Sequence, residues 1–257
     1  MATKIIDLSM VTASDPSPLM NVKITNIPHS FGAQEDQKYF DVDPKDWPFP
    51  GQAWADDFVE MTTHAGTHLD APWHMGPECE GKQPKTIDEW PLEWCFGPGV
   101  VVDIRDLPNC YQLSADELKE RLEKMNYTLK PGDIFLAMTG NDKYWGTPEY
   151  SDRGGHLSAE ALKWVLDQGI KTVGTDSWSF DVPYSCWSKD YKDHGRDPKY
   201  LWPCHLLGIK KEYAHYEKLT NLDLLPPFGF TFYGFPIKFE KGSAGFVRAV
   251  AFVEDEE

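Results

Sequence analysis

Thr63-His64-Ala65-Gly66-Thr67-His68-Leu69-Asp70-Ala71-Pro72-Trp73-His74 is the stretch whose reading decides most about this chain. From His64 to His74 it places three of the protein's 8 histidines and one aspartate within eleven residues. Imidazole and carboxylate together suit borderline divalent ions such as zinc, manganese or iron. The His-x-x-x-His spacing would fit a helical zinc site, but the glutamate that such a motif carries after its first histidine is absent. Gly66 and Pro72 are also poor in a helix interior. The segment therefore reads as an irregular turn after a strand at 58–63, with Gly66 allowing close backbone approach. Such a turn would aim His64, His68 and Asp70 at one point. Three protein ligands leave a coordination position open, as catalysis requires. His74 then has a natural role. It takes a proton from water whose pKa the ion lowers toward ~7, and delivers it to a leaving nitrogen or oxygen.

Outward from this stretch the chain breaks into short elements. Strands are expected at 4–8, 21–27, 58–63, 99–104, 133–138, 171–174, 209–217, 229–236 and 245–253, each β-branched or aromatic and bounded by Gly, Pro or Asp. Ser114-Ala115-Asp116-Glu117 is a capping box, followed by Leu118, Leu122 and Met125 at helical spacing. Ser158 caps a second helix, with Leu162, Val165 and Leu166 on one face and Gly169 as its stop. The expected class is α/β, a strand-rich core with a few flanking helices, in a single domain over 1–257 without repeats or linkers. The stretch 28–54 has little periodicity but carries Phe31, Tyr39, Phe40, Trp47, Phe49 and Trp54. It reads either as an ordered surface loop or as an aromatic lid over a pocket.

Composition excludes several classes. A chain of 257 residues buries a full core without covalent staples. Its net charge of -16 would be repelled by nucleic-acid phosphates and by an anionic membrane surface. Mean hydropathy is -0.49, and no apolar run approaches the ~20 residues that cross a bilayer. Met1 to Ser9 lacks the apolar core of a secretory signal, and the acidic residues 254–257 read as a solvated tail. Cys79, Cys95, Cys110, Cys186 and Cys204 are odd in number, with no Cys-x-x-Cys pair. They suggest reduced thiols and a cytoplasmic location rather than a disulfide framework.

The motif His64-x-Gly66-Thr67-His68-x-Asp70-Ala71-Pro72-x-His74 resembles the signature of the cyclase-like metal-dependent hydrolases, a family with kynurenine formamidase and isatin hydrolase branches. Later segments agree in order. They are His156-Leu157-Ser158-x-Glu160-Ala161, Val173-Gly174-Thr175-Asp176, Cys204-His205-Leu206-Leu207-Gly208, Phe235-Pro236 and Val247-Arg248-Ala249. The resemblance runs over 4–253. It implies the family's swivelling β/α/β fold, a homodimer or tetramer, a small-molecule substrate, and one or two zinc or manganese ions per subunit.

Carried over residue by residue, the resemblance makes His64, His68 and Asp70 metal ligands and His74 the proton donor and acceptor. His205 and Glu217, twelve residues apart, complete a second metal position, with Asp70 and Glu217 bridging. His74 and His205 are thus the expected catalytic residues. Glu217 leans toward two ions, since the isatin hydrolase branch typically has one manganese and a glutamine there. Near the N-terminus the formamidase branch carries Trp-Pro-Gly-Asp, whereas here Asp7-Leu8-Ser9 leads into Met10-Val11-Thr12. The late start of the main motif, after the aromatic stretch, is more like the isatin hydrolase branch. The expected activity is hydrolysis of a C–N bond in a small cyclic or aromatic amide. An arylformamidase and a metal-dependent cyclase or lyase are the alternatives.

Other residues read more plainly. His156 is expected to be structural, and His29, His194 and His215 to be surface or supporting groups. Cys204 beside His205 suggests a nucleophile pair, but sequence neighbours on a strand point apart. Asp176 either orients a ligand histidine or caps a turn.

Overall fold

The computed structural model describes residues 3–14 and 21–254, so 255–257 of the acidic tail lie outside the described residues. The strands are β1 (Thr3–Asp7), β2 (Lys23–Ile27), β3 (Asp56–Glu60), β4 (His68–Asp70), β5 (Phe96–Asp103), β6 (Gln112–Leu113), β7 (Ile134–Met138), β8 (His156–Leu157), β9 (Thr172–Thr175), β10 (Ala214–Glu217), β11 (Phe230–Tyr233), β12 (Ala244–Phe246) and β13 (Val250–Glu254). The α-helices are α1 (His29–Phe40), α2 (Pro72–Met75), α3 (Ala115–Lys124), α4 (Ala159–Asp167), α5 (Tyr184–Asp193) and α6 (Pro203–Leu207). The chain divides into a unit of Met1–Val11 with Gly66–Glu257 and a smaller unit, Thr12–Ala65.

The larger unit is built on a nine-stranded sheet in the order β1-β13-β11-β5-β7-β9-β10-β4-β12. Strands β5, β7, β9 and β10 run parallel, and the others pair antiparallel. A parallel block needs cover on both faces, so its strands read as continuous apolar runs. Ile134-Phe135-Leu136-Ala137-Met138 is buried throughout. Alternation then sorts side chains between two cores. Val100, Val102, Phe135 and Ala137 pack with Leu118 and Leu122 of α3 and Leu162 and Val165 of α4. Val101, Ile134 and Leu136 pack on the other face with Leu69, Tyr216 and Phe232.

Both expected helices carry their caps. Ser114 Oγ accepts from the Glu117 amide while Glu117 Oε2 accepts from the Ser114 amide, and Ser158 Oγ accepts from the Ala161 amide. The strand-rich α/β class is as expected, with two changes at the ends of strands. The run 209–217 narrows to β10 because α6 and its following turn extend through Ile209. The run 245–253 splits into β12 and β13, which pair with different partners, β4 and β1.

The smaller unit corrects the reading of 28–54. It holds a 12-residue helix, α1, and the antiparallel pair β2–β3. The helix escapes periodicity because its buried residues are Gly32, Ala33 and Asp36, which form no apolar stripe. Gly32 is required there, since a Cβ would stand 2.3 Å from the Trp54 carbonyl oxygen. The Trp54 indole N–H donates to the Asp36 carboxylate at 3.1 and 3.2 Å, and Phe31 meets the Trp54 ring edge-on. Tyr39, Phe40 and Phe49 remain exposed.

The cysteines also require a correction. Cys110 and Cys186, 76 residues apart, form a disulfide, whereas Cys79, Cys95 and Cys204 are free and buried. Spacing gave no hint of the pair because its partners meet through tertiary structure, between the segment before β6 and helix α5.

Candidate metal centre

The centre begins as a two-strand ladder. Antiparallel pairing of β4 with β10 sets His215 opposite Asp70 and Glu217 opposite His68. With a side-chain period of two, these four groups share one face while Leu69 and Tyr216 enter the core behind them. His215 Nε2 lies 2.9 Å from Asp70 Oδ2 and 3.3 Å from Glu217 Oε1. His68 Nε2 lies 3.1 Å from Asp70 Oδ1 and 3.7 Å from Glu217 Oε2. The His68 ring is oriented by its Nδ1–H, which donates to the Gly66 carbonyl at 2.9 Å. The expected irregular turn thus ends at Thr67, and His68-x-Asp70 belongs to a strand.

Helix α6 delivers His205. Asp181 caps that helix, accepting from the amides of Cys204 (2.6 Å) and His205 (3.1 Å), and also accepts from His205 Nδ1 at 2.7 Å. With Nδ1 committed, Nε2 faces the ladder, 3.6 Å from Glu217 Oε1 and 3.8 Å from Asp70 Oδ2. Carboxylates that fix a ligand histidine this way typically account for 10–100-fold in metal affinity, and Asp181→Asn should lose about that much. A chelator-competition titration checks this; unchanged affinity would refute the positioning role.

His74 sits half-buried on the one-turn helix α2, which Pro72 opens. Its Nε2 is 3.9 Å from Asp70 Oδ2, and its ring centroid is 5.5 Å from that of His205. His64 belongs to the smaller unit, half-buried in the turn where the Ala65 amide bonds the Thr62 carbonyl.

Charge and burial compete in this cluster. Burial pushes the His68 pKa down, helped by the Lys218 ammonium and opposed by Asp70. Burial would also lower His205, but hydrogen bonds to Asp181 and Asp70 outweigh it and push the value up to about 10. His215 is raised too, by Asp70 and Glu217 acting against burial and against His205. Burial disfavours a charged Glu217, yet Lys218 and His215 hold it well below the usual carboxylate range. Asp70, His205, His215 and Glu217 each offer one ligand atom, all within 4.8 Å of one another and all buried. Two carboxylate oxygens and two imidazole nitrogens so gathered are a donor set that fits zinc or manganese.

The structure brings His68, Asp70, His74, His205 and Glu217 into one neighbourhood and adds His215, which is buried there rather than on the surface. The signal was present: His215-x-Glu217 repeats the His68-x-Asp70 alternation on the neighbouring strand. Asp181 and Trp202 were missed without any such signal. The Trp202 ring stacks on His205 with centroids 4.2 Å apart, and Tyr184 stands behind it at 6.2 Å.

Other candidates fall away. His156 is buried on β8, with its pKa lowered to about 4 by burial, and His194 is exposed and stacked on Tyr200. Cys204 donates its thiol to the Leu157 carbonyl at 3.4 Å, and burial pushes its pKa well up, so no nucleophile pair forms with His205.

Asp176 caps a turn, accepting from the amides of Thr139 and Gly140 and from the Thr139 hydroxyl at 2.6–2.8 Å. Burial raises it from 3.8 to about 6. A carboxyl with a raised folded pKa adds stability below its unfolded pKa that is lost as pH rises through the folded value. Wild type should therefore lose stability relative to Asp176→Asn between about pH 4 and 6, by up to about 3 kcal/mol. Urea unfolding of both proteins across that window is the measurement.

A cavity of about 660 Å³ opens at the carboxyl ends of β5, β7 and β9, with none of Asp70, His205, His215 and Glu217 in its wall. Lys143 there is paired with Asp142 and Asp223, Arg105 with Asp103, and the Arg153 guanidinium lies over the Tyr144 ring at 3.9 Å.

Comparisons with known proteins bear on the fold and the family. Kynurenine formamidase of Salinibacter ruber is 26% identical over 198 residues, covering 75% of this chain and 77% of its own. That of Bacillus cereus is 29% identical over 123 residues, covering 48% and 51%. Among solved structures, isatin hydrolase A from Labrenzia aggregata superposes with a TM-score of 0.74 at 22% identity, over 98% of this chain and 94% of its own. The enzyme from Ralstonia solanacearum gives 0.73 at 23% identity, over 98% and 92%. These likenesses place the fold. The Cyclase family model matches residues 6–182, more than half of the chain and through its His/Asp motif, and the protein is accordingly a member of the Cyclase family.

Proposed function

We propose that this chain is a metal-dependent hydrolase that opens a C–N bond of a small cyclic or aromatic amide. The observation that carries the proposal is the buried cluster of Asp70, His205, His215 and Glu217, bordered by His68 and His74. Those four residues would hold a zinc or manganese ion, with His64 and His68 of the main motif as further ligands. Bound there, the ion supplies Lewis-acid polarisation of the amide carbonyl and activation of water. His74 takes a proton from the attacking water and returns it to the departing nitrogen, so one water is consumed per bond broken. Asp181 keeps His205 Nε2 turned to the centre. Trp202 and Tyr184 offer flat apolar faces that suit an aromatic ring.

Ring opening of the isatin type is favoured by the whole-chain structural likeness to isatin hydrolases and by the absence of Trp-Pro-Gly-Asp near the N-terminus. Arylformamidase activity is the second reading, supported by the Salinibacter relative. A spectrophotometric assay with isatin and N-formylkynurenine, on manganese- and zinc-supplemented protein, separates them. Isatin opening alone supports the first reading, formylkynurenine cleavage alone the second, and a product without added water would point to cyclase or lyase chemistry.

A homo-oligomer is proposed as well, because every residue of β3 is exposed, including Phe58 and Val59, and an isolated two-stranded pair is marginal in water. The Cys110–Cys186 disulfide counts against the cytoplasmic location that five reduced thiols would suggest.

A further inference from the structure

We infer that the Cys110–Cys186 disulfide anchors the aromatic wall beside the metal centre, so that breaking it weakens capture of a flat substrate while leaving the ion in place. The inference rests on the hydrolase reading above and deepens it.

The wall is carried by two helices of unequal footing. Trp202, just before α6, stacks on His205 and is backed by Tyr184, the first residue of α5. Trp187, further along α5, meets Tyr184 with ring centroids 5.5 Å apart. Helix α6 is held from within: Cys204, His205 and Leu207 are buried, and the buried Asp181 carboxylate accepts from the amides of Cys204 and His205. Helix α5 has no such footing. Of its ten residues only Cys186 is buried, and among the described residues no side chain caps its N-terminus. Its side-chain hydrogen bonds to other elements, Ser185 to Asp152 and Gln112 to Asp190, lie at exposed or half-buried positions, where water competes for each.

The firm tie is covalent. Cys186, two residues past Tyr184, is bonded to Cys110 in the segment before β6. That segment is itself fixed, by the Cys110 amide on the Gly154 carbonyl at 3.1 Å and by the pairing of β6 with β8. Without the S–S bond α5 would rest on its weak ties alone, the condition in which a segment opens locally while the rest of the fold stands.

The bond is also open to chemistry. Cys79, Cys95 and Cys204 are buried, which leaves Cys110, the exposed partner, as the sulfur that a reductant meets. A phosphine attacks that sulfur, and the S–S bond breaks with Cys186 leaving as thiolate. One water then gives its oxygen to phosphorus and a proton to each sulfur. Once α5 is released, Tyr184 no longer backs Trp202. Asp181 stays with α6, so His205 keeps its orientation toward the centre.

The test compares manganese-loaded wild type, air-oxidised or treated with a water-soluble phosphine, with a Cys110→Ser/Cys186→Ala protein. Alkylation of unfolded, unreduced wild type should label Cys79, Cys95 and Cys204 and spare the pair. Amide hydrogen exchange over 184–193 should be about tenfold faster in the reduced and the doubly substituted proteins than in the oxidised one. KM for isatin should rise about 3–10-fold, the worth of one aromatic contact, with kcat within about twofold of the oxidised value. Manganese content should stay the same, and the doubly substituted protein should not respond to phosphine. Alkylation of all five cysteines without reduction, exchange over 184–193 that ignores reduction, an unchanged KM, or loss of manganese on reduction would each overturn the inference. If the doubly substituted protein does not fold, oxidised and reduced wild type decide alone. Oxidised protein that opens neither isatin nor formylkynurenine would overturn the hydrolase reading instead, and the exchange comparison would still decide whether the bond anchors the wall.

Discussion

Alanine in place of His74 should lower kcat by about 10²–10⁴-fold, the contribution of a positioned general acid–base group. Ion content and Tm should remain at wild-type values. The separation follows from where His74 stands. It lies outside the four buried groups that gather ligand atoms, on a one-turn helix with its ring half-buried. Removing a half-buried imidazole leaves little cavity and no orphaned charge, so the fold should tolerate it. Turnover should have no such reserve, because under the proposed function Asp70, His205, His215 and Glu217 would be committed to the ion. Steady-state kinetics, metal analysis and a thermal melt on one preparation give the answer. If ion content fell together with kcat, His74 would be a ligand rather than a proton carrier.

Asp70→Asn should cost more in binding than any other single conservative change. Asp70 faces His68, His74, His205 and His215 at 2.9–3.9 Å, so its carboxylate is the hub of the centre. The amide removes the negative charge and turns one acceptor into a donor, aimed at an imidazole nitrogen that itself must donate or bind metal. Loss of a partner outside the ligand set costs 10–100-fold in affinity, and loss of this hub should exceed about 100-fold. Activity should vanish at ordinary ion concentrations and return in part when the ion is raised. Chelator competition and the hydrolysis assay measure both. Wild-type affinity in Asp70→Asn would remove Asp70 from the ligand set.

The site was legible in the sequence where chemistry is dense over a short distance. His68, Asp70 and His74 stand within seven residues, and no ordinary core or surface gathers such groups so closely. His205 and Glu217 were legible only through the family resemblance, since their approach depends on α6 and β10 folding against β4. His215 was hidden for a simpler reason. The apolar run that marked the strand was read too long, from 209, and its two polar inward residues were not matched to the two on β4. Asp181 could not be read at all, because an Asp before Val-Pro looks like any turn residue until α6 starts above it.

The fold shows the same division. Strands β5, β7 and β9 and the capped helices α3 and α4 follow local rules and were read to within a few residues, whereas the parallel pairing of those strands was not. Helix α1 buries a glycine, an alanine and an aspartate, so no apolar stripe announced it. The Cys110–Cys186 pair depends on two segments brought together by everything between them.

The ladder of β4 and β10 has a consequence for how the chain matures. Its polar face exists in one pairing alone: a slip of a single residue would turn Leu69 and Tyr216 toward the centre and bury His68, Asp70, His215 and Glu217 against the apolar core. An ion captured by the correct pairing adds about 4 kcal/mol when present at a thousand times its dissociation constant, and a mispaired chain gains nothing from it. The metal would thus act as a proofreader of folding, rewarding only those molecules whose two short strands have found their partners in step.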